Sequence, residues 1–283
     1  MRFLRSILIL GRVSNLPTVW SNCLAGWWLG GRGEASNLPF LFVGATFLYM
    51  AGMFLNDAFD AAFDRQFRRE RPIPAGMIGL KSAWVMGVGW LMLGIVTLFC
   101  VGKLTGQFGI ALAFAIVLYD CLHKKISFAP VLMGLCRFVL YLTAASAGTL
   151  GVTGWAVWGG LALGLYIVGI SYFARAETSV HRLKYWPAVF LAAPLALAVC
   201  MNSNGYLESA LLLGALSLAW IVKCVRYAIS ITEHNVGRMV AGLLAGIVLV
   251  DWVAMADAPR EMGFLFIGLF GSALLLQKVV PAT

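Results

Sequence analysis

Charged residues are scarce in this chain of 283 residues, at 12% of the total, and only 12 residues are acidic. Hydrophobic residues make up 61%, and the mean hydropathy is +0.88, far above that of a soluble domain. Long polar loops are lacking as well, which excludes a second, soluble domain. We therefore expect residues 1–283 to form a single integral-membrane domain.

Paired cysteines are also lacking, since the six cysteines stand singly and form no C-x-x-C pair. We interpret them as small buried residues, which excludes a disulfide framework and a zinc site of the usual spacing. None of the 31 glycines lies in a strand–turn–helix setting. A nucleotide-binding loop is therefore not supported.

Apolar runs long enough to cross a bilayer recur along the whole chain. We place them at residues 10–30, 39–57, 82–101, 105–121, 130–150, 155–174, 186–202, 207–222, 237–256 and 262–278. The pattern predicts an all-α fold, a polytopic membrane helical bundle of about nine transmembrane helices. The run at 262–278 is the candidate for a tenth.

Basic residues are distributed unequally between the two ends of these runs, with sixteen on one side and three on the other. The rich side holds Arg2, Arg5, Arg12, Arg65, Arg68, Arg69, Arg71, Lys81, Lys124, Lys125, Arg175, Arg182, Lys184, Lys223, Arg226 and Arg238; the poor side holds Arg32, Lys103 and Arg260. This asymmetry predicts that the rich side is cytoplasmic. We expect a multi-pass protein of a bacterial inner membrane, with its N-terminus in the cytoplasm and membrane lipid around it. The net charge of +9 is then a topology signal, and no nucleic-acid partner is expected.

Three of the few acidic residues lie within eight positions, at Asp57, Asp60 and Asp64, where the second apolar run ends. On a helix their side chains fall at roughly 0°, −60° and −20°, which places them on one face. Crowded carboxylates repel one another unless a cation joins them. Mg²⁺ suits such a cluster, because it takes one or two carboxylates and completes its shell with water and phosphate oxygens. Since Arg65 and Arg71 follow, the cluster predicts a metal–diphosphate site on the cytoplasmic face.

Polar residues at membrane depth usually face a cavity or a partner. Asn22 is equally suited to a hydrogen bond between helices and to a ligand contact. Tyr119 and Lys124, at the cytoplasmic end of the fourth run, favour a functional role beside the aspartates. Arg137 lies about two turns inside the fifth run and needs an anionic partner. That partner is a substrate diphosphate or, equally, Asp120 or an aspartate of the cluster.

Two further polar residues are interpreted as structural. His123 stands alone at a loop edge, where a histidine more often ends a helix than catalyses. Asp251 lies deep in the ninth run, towards the side opposite the aspartates, so we expect a structural hydrogen bond remote from the site.

The first motif resembles that of the UbiA superfamily of intramembrane prenyltransferases. The resemblance rests on Asn56-Asp57-x-x-Asp60-x-x-x-Asp64, on Arg71-Pro72-Ile73-x-x-Gly76, on the tract from Tyr119 to Lys125 and on Gly134-x-x-Arg137. It implies a helical bundle around a cavity open to lipid. There Mg²⁺ joins the aspartates to a prenyl diphosphate, and a lipophilic acceptor, aromatic or a quinone precursor, is prenylated.

The resemblance also implies roles for individual residues. The expected catalytic residues are Asp57, Asp60, Arg71 and Lys124. The expected metal ligands are Asp57, Asp60 and Asp64. The expected substrate-binding residues are Asn22, Asn56, Arg65, Tyr119, Arg137, Glu177 and Arg182. Arg71, Lys124, Arg137 and Arg182 are expected to hold the diphosphate.

The chain departs from the family pattern at two places. The second aspartate motif, which helps bind a second Mg²⁺, is absent: Glu177 is the only carboxylate of that loop, and Arg175 is the cation available to replace a metal's charge. The family's lysine stands four residues after the tyrosine, a position that is His123 here, with Lys124 one residue further on.

Two functions of different classes remain. The intact first motif favours a prenyltransferase. The degenerate second motif favours a UbiA-like membrane protein that binds or transports a lipophilic isoprenoid-type molecule without converting it.

Overall fold

The computed structural model describes residues 2–177, 186–201, 206–229 and 235–281, and within these ranges the regular structure is entirely helical. The helices are α1 Arg2–Leu10, α2 Leu16–Leu29, α3 Leu38–Phe67, α4 Leu80–Val101, α5 Lys103–Leu122, α6 Ala129–Ala145, α7 Gly154–Glu177, α8 Ala188–Leu191, α9 Ala193–Met201, α10 Leu207–Ile229, α11 Val236–Ala245, α12 Ile247–Ala254 and α13 Arg260–Leu276. Short 3-10 turns at Val13–Asn15 and Ala35–Asn37 lead into α2 and α3. The predicted all-α class is confirmed.

Each of the ten predicted apolar runs overlaps a helix, but the helices differ in length. Six of those described are long and apolar enough to cross a membrane: Ala35–Phe67, Leu80–Val101, Lys103–Leu122, Gly154–Arg175, Leu207–Ile229 and Val236–Ala254. The other four runs hold shorter helices, such as α2 with 14 residues and α13 with 17. The chain is therefore a multi-pass membrane protein, whereas the number of about nine spanning helices is not confirmed.

Two runs that we predicted as continuous helices are divided. The run at 186–202 breaks at Ala192, next to Pro194, which has no N–H to donate to the preceding turn. The run at 237–256 changes from α11 to α12 at Gly246. Apolar composition cannot reveal such breaks, because both halves of each run are apolar.

Close approach between helices depends on glycine where α6 meets α7. A Cβ atom built on Gly134 would lie only 2.6 Å from the Gly164 carbonyl oxygen, so the two backbones touch. The neighbouring turn of α6 contacts α2, where a Cβ on Gly26 would lie 2.5 Å from the Tyr141 carbonyl oxygen. Small residues allow this packing in a membrane bundle. The contacts fix α6 between α2 and α7, and with it the position of Arg137.

Candidate functional site

A cavity of about 1130 Å³ opens between the helices. Its apolar wall comes from α5, α6, α7 and α11: Leu112, Ile116, Met133, Leu140, Ile167, Ile170 and Leu244. Its polar lining includes Arg12, Asn56, Asp60, Arg68, Arg71, Tyr119, Asp120, His123, Lys124, Lys125, Arg137 and Arg175. An apolar chamber with a few convergent polar groups is the usual form of a small-molecule site.

Asp60 is the aspartate of the first motif that faces this cavity. Its Oδ1 lies 2.7 Å from Lys124 Nζ and 3.2 Å from His123 Nε2. The Lys124 ammonium also lies 3.8 Å from the centre of the Phe63 ring, a cation–π contact that orients it. Lys124 thus lies beside the aspartate motif, as predicted. It follows the end of α5 and places its ammonium group next to Asp60 in the cavity.

Asp57 and Asp64 are buried on the same face of α3 but do not line the cavity. Arg71 Nη1 lies 3.2 Å from Asp57 Oδ1 and 3.1 Å from Asp64 Oδ2, so one nitrogen joins both carboxylates. Arg12 approaches Asp57 as well, at 3.7 Å. The predicted common face is therefore correct, but basic side chains divide the three carboxylates into a bridged pair and a separate Asp60.

The turn that follows α3 brings Arg71 back over these carboxylates. Its chain reverses through hydrogen bonds from Ala75 N to Arg71 O (2.9 Å) and from Met77 N to Pro72 O (2.9 Å). Gly76 adopts a φ of +71°, a backbone conformation that favours glycine. The Arg-Pro-Ile-x-x-Gly sequence thus forms a turn that positions the Arg71 guanidinium.

Asn56 and Asp120 form a second polar pair in the cavity wall, one turn deeper on α3 and α5. Asn56 Nδ2 donates to Asp120 Oδ1 at 3.0 Å, whereas the buried Asp120 Oδ2 has no hydrogen-bond partner among the described residues. Tyr119 stacks on the His123 ring at a centroid distance of 5.2 Å. The pair therefore leaves one buried carboxylate oxygen without a hydrogen bond in the wall of the cavity.

The oxygen donors fit a single Mg²⁺ better than a cage of three aspartates. The described residues contain no group of three or more His, Cys, Asp or Glu side chains that could hold a metal ion. Mg²⁺ in proteins commonly takes only one or two carboxylates and fills its shell with water and phosphate oxygens. Asp60 and Asp120 are the described carboxylates that line the cavity, and Asp120 Oδ2 is unpartnered there. The donor set is thus compatible with one Mg²⁺ shared with a phosphate ligand.

Arg137 belongs to a buried polar network between α6, α2 and α12. Its Nη1 donates to Asn22 Oδ1 at 2.6 Å, and its Nη2 to Thr18 Oγ1 at 3.2 Å. Asn22 Nδ2 in turn donates to Asp251 Oδ2 at 2.7 Å, and Ser21 Oγ to the same oxygen at 2.5 Å. Asn22 therefore makes the hydrogen bond between helices that was one of its two predicted roles, and it is absent from the cavity lining.

Several predicted site residues occupy other places. Arg65 is exposed and does not line the cavity; Arg68, three residues on, does. Arg175 donates to the carbonyl oxygens of the loop before α6, among them Ser127 O at 2.8 Å, so its guanidinium holds that loop. Arg182 and the side chain of Glu177 lie outside the described residues.

Some contacts of the site were not predicted from the sequence. His123 ends α5, as interpreted, but its ring also contacts Asp60. Arg12 was counted only as a topology signal, yet it lines the cavity and approaches Asp57. The structural hydrogen bond predicted for Asp251 is present, since Asp251 accepts from Ser21 and Asn22, but the link through Asn22 to Arg137 was not predicted. The position of His123, where the family has its lysine, was the signal available for the first of these.

Comparison with known proteins gives sequence relatives over part of the chain. Digeranylgeranylglyceryl phosphate synthase of Ignicoccus hospitalis is 31% identical over 122 residues, which is 43% of this chain and 40% of that protein. The mitochondrial 4-hydroxybenzoate polyprenyltransferase of Mus musculus is 31% identical over 126 residues, 41% of this chain and 31% of that protein. The matches span less than half the length of these curated relatives.

Solved structures resemble the fold over most of the chain. A UbiA homolog from Aeropyrum pernix K1 superimposes with a TM-score of 0.68 at 15% identity, covering 88% of this chain and 98% of that one. A UbiA homolog from Archaeoglobus fulgidus bound to GPP and Mg²⁺ gives 0.60 at 12% identity, covering 90% and 99%. The family model of the UbiA prenyltransferase family matches residues 15–233. The chain therefore belongs to the UbiA prenyltransferase family.

Proposed function

We propose that this protein transfers a prenyl group from an isoprenoid diphosphate to a lipophilic acceptor within the membrane. The observation that carries the proposal is the cavity, which combines Asp60, His123 and Lys124 with an apolar chamber of about 1130 Å³. The polar groups suit a diphosphate, and the chamber suits an isoprenoid tail and an apolar acceptor. Family membership supports the same reaction class.

The cations that line the cavity suit the leaving group. Breaking the allylic C1–O bond leaves a delocalised carbocation and places a further negative charge on the diphosphate. Lys124 and Arg71 are held in place by carboxylates before substrate arrives, so little reorganisation is needed as that charge develops. Preorganised charge of this kind is commonly a large contribution to catalysis. His123, within reach of Asp60, supplies another donor at the same place.

The apolar wall would protect the carbocation. Leu112, Ile116 and Ile167 offer no nucleophile, and they exclude water that would otherwise capture the cation. The acceptor's electron-rich carbon or oxygen then forms the new bond at C1, and the proton that it releases passes to a basic group of the site or to the departing diphosphate.

Mg²⁺ is the cofactor that we propose for this site. Asp60 and Asp120, the described carboxylates that line the cavity, would hold it, and diphosphate oxygens would complete the shell. Asp57 and Asp64, the further ligands that the motif predicts, remain a prediction, since Arg71 bridges them here. When bound, the ion neutralises charge on the diphosphate. The second aspartate motif is missing, and Arg71 and Arg12 already pair with carboxylates of the first motif. Both observations favour one ion over two.

We also propose that the site faces the cytoplasm of a bacterial cell. This orientation follows from the excess of basic residues on the side that carries Asp60. Diphosphate substrates, which are charged and water-soluble at one end, would then reach the cavity from the side where they are made.

The experiment that tests the proposed function measures pyrophosphate release by the purified protein with Mg²⁺. Geranyl, farnesyl and geranylgeranyl diphosphates are offered with a panel of lipid-soluble acceptors, and Asp60→Asn is the matched variant. We expect release that requires an acceptor and falls at least a hundredfold in the variant, because the side chain that organises Lys124 and His123 loses its charge. Tight binding of prenyl lipids without release across the whole panel would instead support the non-catalytic carrier.

A further inference from the structure

Arg137 keeps unused hydrogen-bond donors inside the cavity. The residue is 9% exposed and lines the cavity. Of its five N–H groups, those on Nη1 and one on Nη2 serve Asn22 and Thr18. The Nε–H and the second Nη2–H have no protein partner in the described part of the chain. A guanidinium at this depth is costly unless its charge and donors are met.

No carboxylate of the described residues lies within ion-pair distance of Arg137. The nearest compensation is indirect, through Asn22, whose oxygen faces Arg137 and whose amide group faces Asp251. This relay orients the guanidinium and leaves its charge without an adjacent anion. The free donors therefore point to an anion that arrives from the cavity.

Helix geometry separates Arg137 from the place where a diphosphate would meet Asp60. The Arg137 guanidinium lies 5.7 Å from the Tyr49 ring. Tyr49 precedes Asp60 by eleven residues of α3, which is three turns or roughly 16 Å along the helix. The other helix agrees: Arg137 is eight residues inside α6, roughly 12 Å, whereas Lys124 precedes that helix altogether. Both axial separations exceed the length of a diphosphate, which is only two phosphate groups long, and this favours a separate anion at Arg137.

We propose that Arg137 forms a second anion site, separate from the diphosphate site, that holds a carboxylate or phosphate group of the acceptor. Asn22 and Asp251 are positioning residues for it. The assignment to an acceptor rests on the proposed function, whereas the binding of an anion does not. Anchored there, the acceptor would extend towards Asp60 and present its nucleophilic atom to C1 of the prenyl donor. This replaces the sequence-based expectation that Arg137 holds the diphosphate.

The proposal is tested by binding to the protein in phosphatidylcholine nanodiscs. Two pairs of probes differ only in the anion: 4-hydroxybenzoate against its methyl ester, and hexadecyl phosphate against hexadecanol. Geranyl diphosphate with Mg²⁺ is the third probe. The variants are Arg137→Gln and, as a matched loss of charge at an exposed arginine away from the cavity, Arg260→Gln.

We expect the wild-type protein to prefer the charged member of at least one pair, and the responsive pair identifies a carboxylate or a phosphate. Arg137→Gln should weaken that member about tenfold to a hundredfold, the loss expected for charge-assisted hydrogen bonds. Its affinity for the neutral member and for geranyl diphosphate should change less than about threefold, well below that loss. Arg260→Gln should change nothing.

Two results would overturn the proposal. One is a wild-type protein with no preference for the charged member of either pair, a measurement that needs no variant. The other is an Arg137→Gln protein that loses geranyl diphosphate as strongly as the anionic probe. If that variant does not fold, Arg137→Lys replaces it and should keep a weakened preference for the anion. Pyrophosphate release is recorded on the same samples, so failure of the reaction is seen separately from failure of the anion site.

Discussion

Replacing Arg71 with Met should destabilise the protein, because two buried carboxylates lose the nitrogen that joins them. Arg71 Nη1 bridges Asp57 and Asp64 at 3.2 and 3.1 Å, and the side chain of Asp64 is only 1% exposed. Met retains much of the apolar stem and removes the charge. The change therefore tests the bridge more than the packing of the turn after α3.

The magnitude follows from the burial of the three groups. Removing one partner of a buried ion pair costs about 3–5 kcal/mol, since the other charge is left without compensation. Arg71 itself is 18% exposed, and Arg12 remains near Asp57 at 3.7 Å, so part of that cost is relieved. We expect a loss of about 2–4 kcal/mol in the free energy of unfolding. Adding Asp64→Asn to the variant should restore about 1–2 kcal/mol, because it removes the stranded charge.

The assay is unfolding by SDS in mixed micelles, followed by the fluorescence of the ten tryptophans. Arg69→Met is the matched control. Arg69 is an exposed arginine two residues away whose Nε donates only to the Arg65 carbonyl oxygen. Its replacement should change stability by less than about 0.5 kcal/mol.

The double variant decides whether the bridge is the cause. If Arg71→Met and the variant that also carries Asp64→Asn unfold at the same free energy, the stranded carboxylate is not the source of the loss. Arg71 would then stabilise the turn by packing. The bridge between Asp57 and Asp64 would contribute little to the free energy of unfolding.

The remaining predictions concern packing and the leaving group. Gly134→Val should lower the free energy of unfolding by about 1–3 kcal/mol, because its side chain meets the Gly164 carbonyl oxygen. Gly268→Ala, with open space around its Cβ, should not lower it. Equal SDS unfolding midpoints for the two variants would disprove the close contact. Lys124→Gln should lower kcat/KM for the prenyl diphosphate about tenfold to a hundredfold, because the charge beside Asp60 is lost. Lys125→Gln is the control. Equal effects of the two changes would show that the basic residues attract the diphosphate only through their overall charge.

Much of the fold was legible in the sequence because a bilayer imposes simple rules. Long apolar runs must be helical, so the class and the approximate placement of the helices followed from composition alone. The breaks at Ala192 and Gly246 could not be read in this way. Both lie within runs that remain apolar on either side of the break, and proline or glycine inside a membrane helix does not by itself require a break.

The site was legible where its residues lie close together in the chain. The common face of Asp57, Asp60 and Asp64 follows from helical periodicity, and Arg71 lies only four residues beyond the end of their helix. Arg65 does not line the cavity because it lies about 140° around α3 from Asp60, whereas Arg68 follows the last helical residue and lines the cavity. Spacing within one helix thus predicts neighbours, but not which face the bundle encloses.

What the sequence determined by itself was the membrane, the family motif and the need of three carboxylates for a cation. The tertiary structure decided which basic side chains pair with these carboxylates. Arg71 pairs with Asp57 and Asp64, and His123 and Lys124 contact Asp60. It also linked Asp251 to Arg137 across more than a hundred positions of the chain. The physical reason is that electrostatic pairing depends on distance in space. In a bundle that distance is set by which helices pack together, a matter on which uniformly apolar surfaces carry almost no sequence signal.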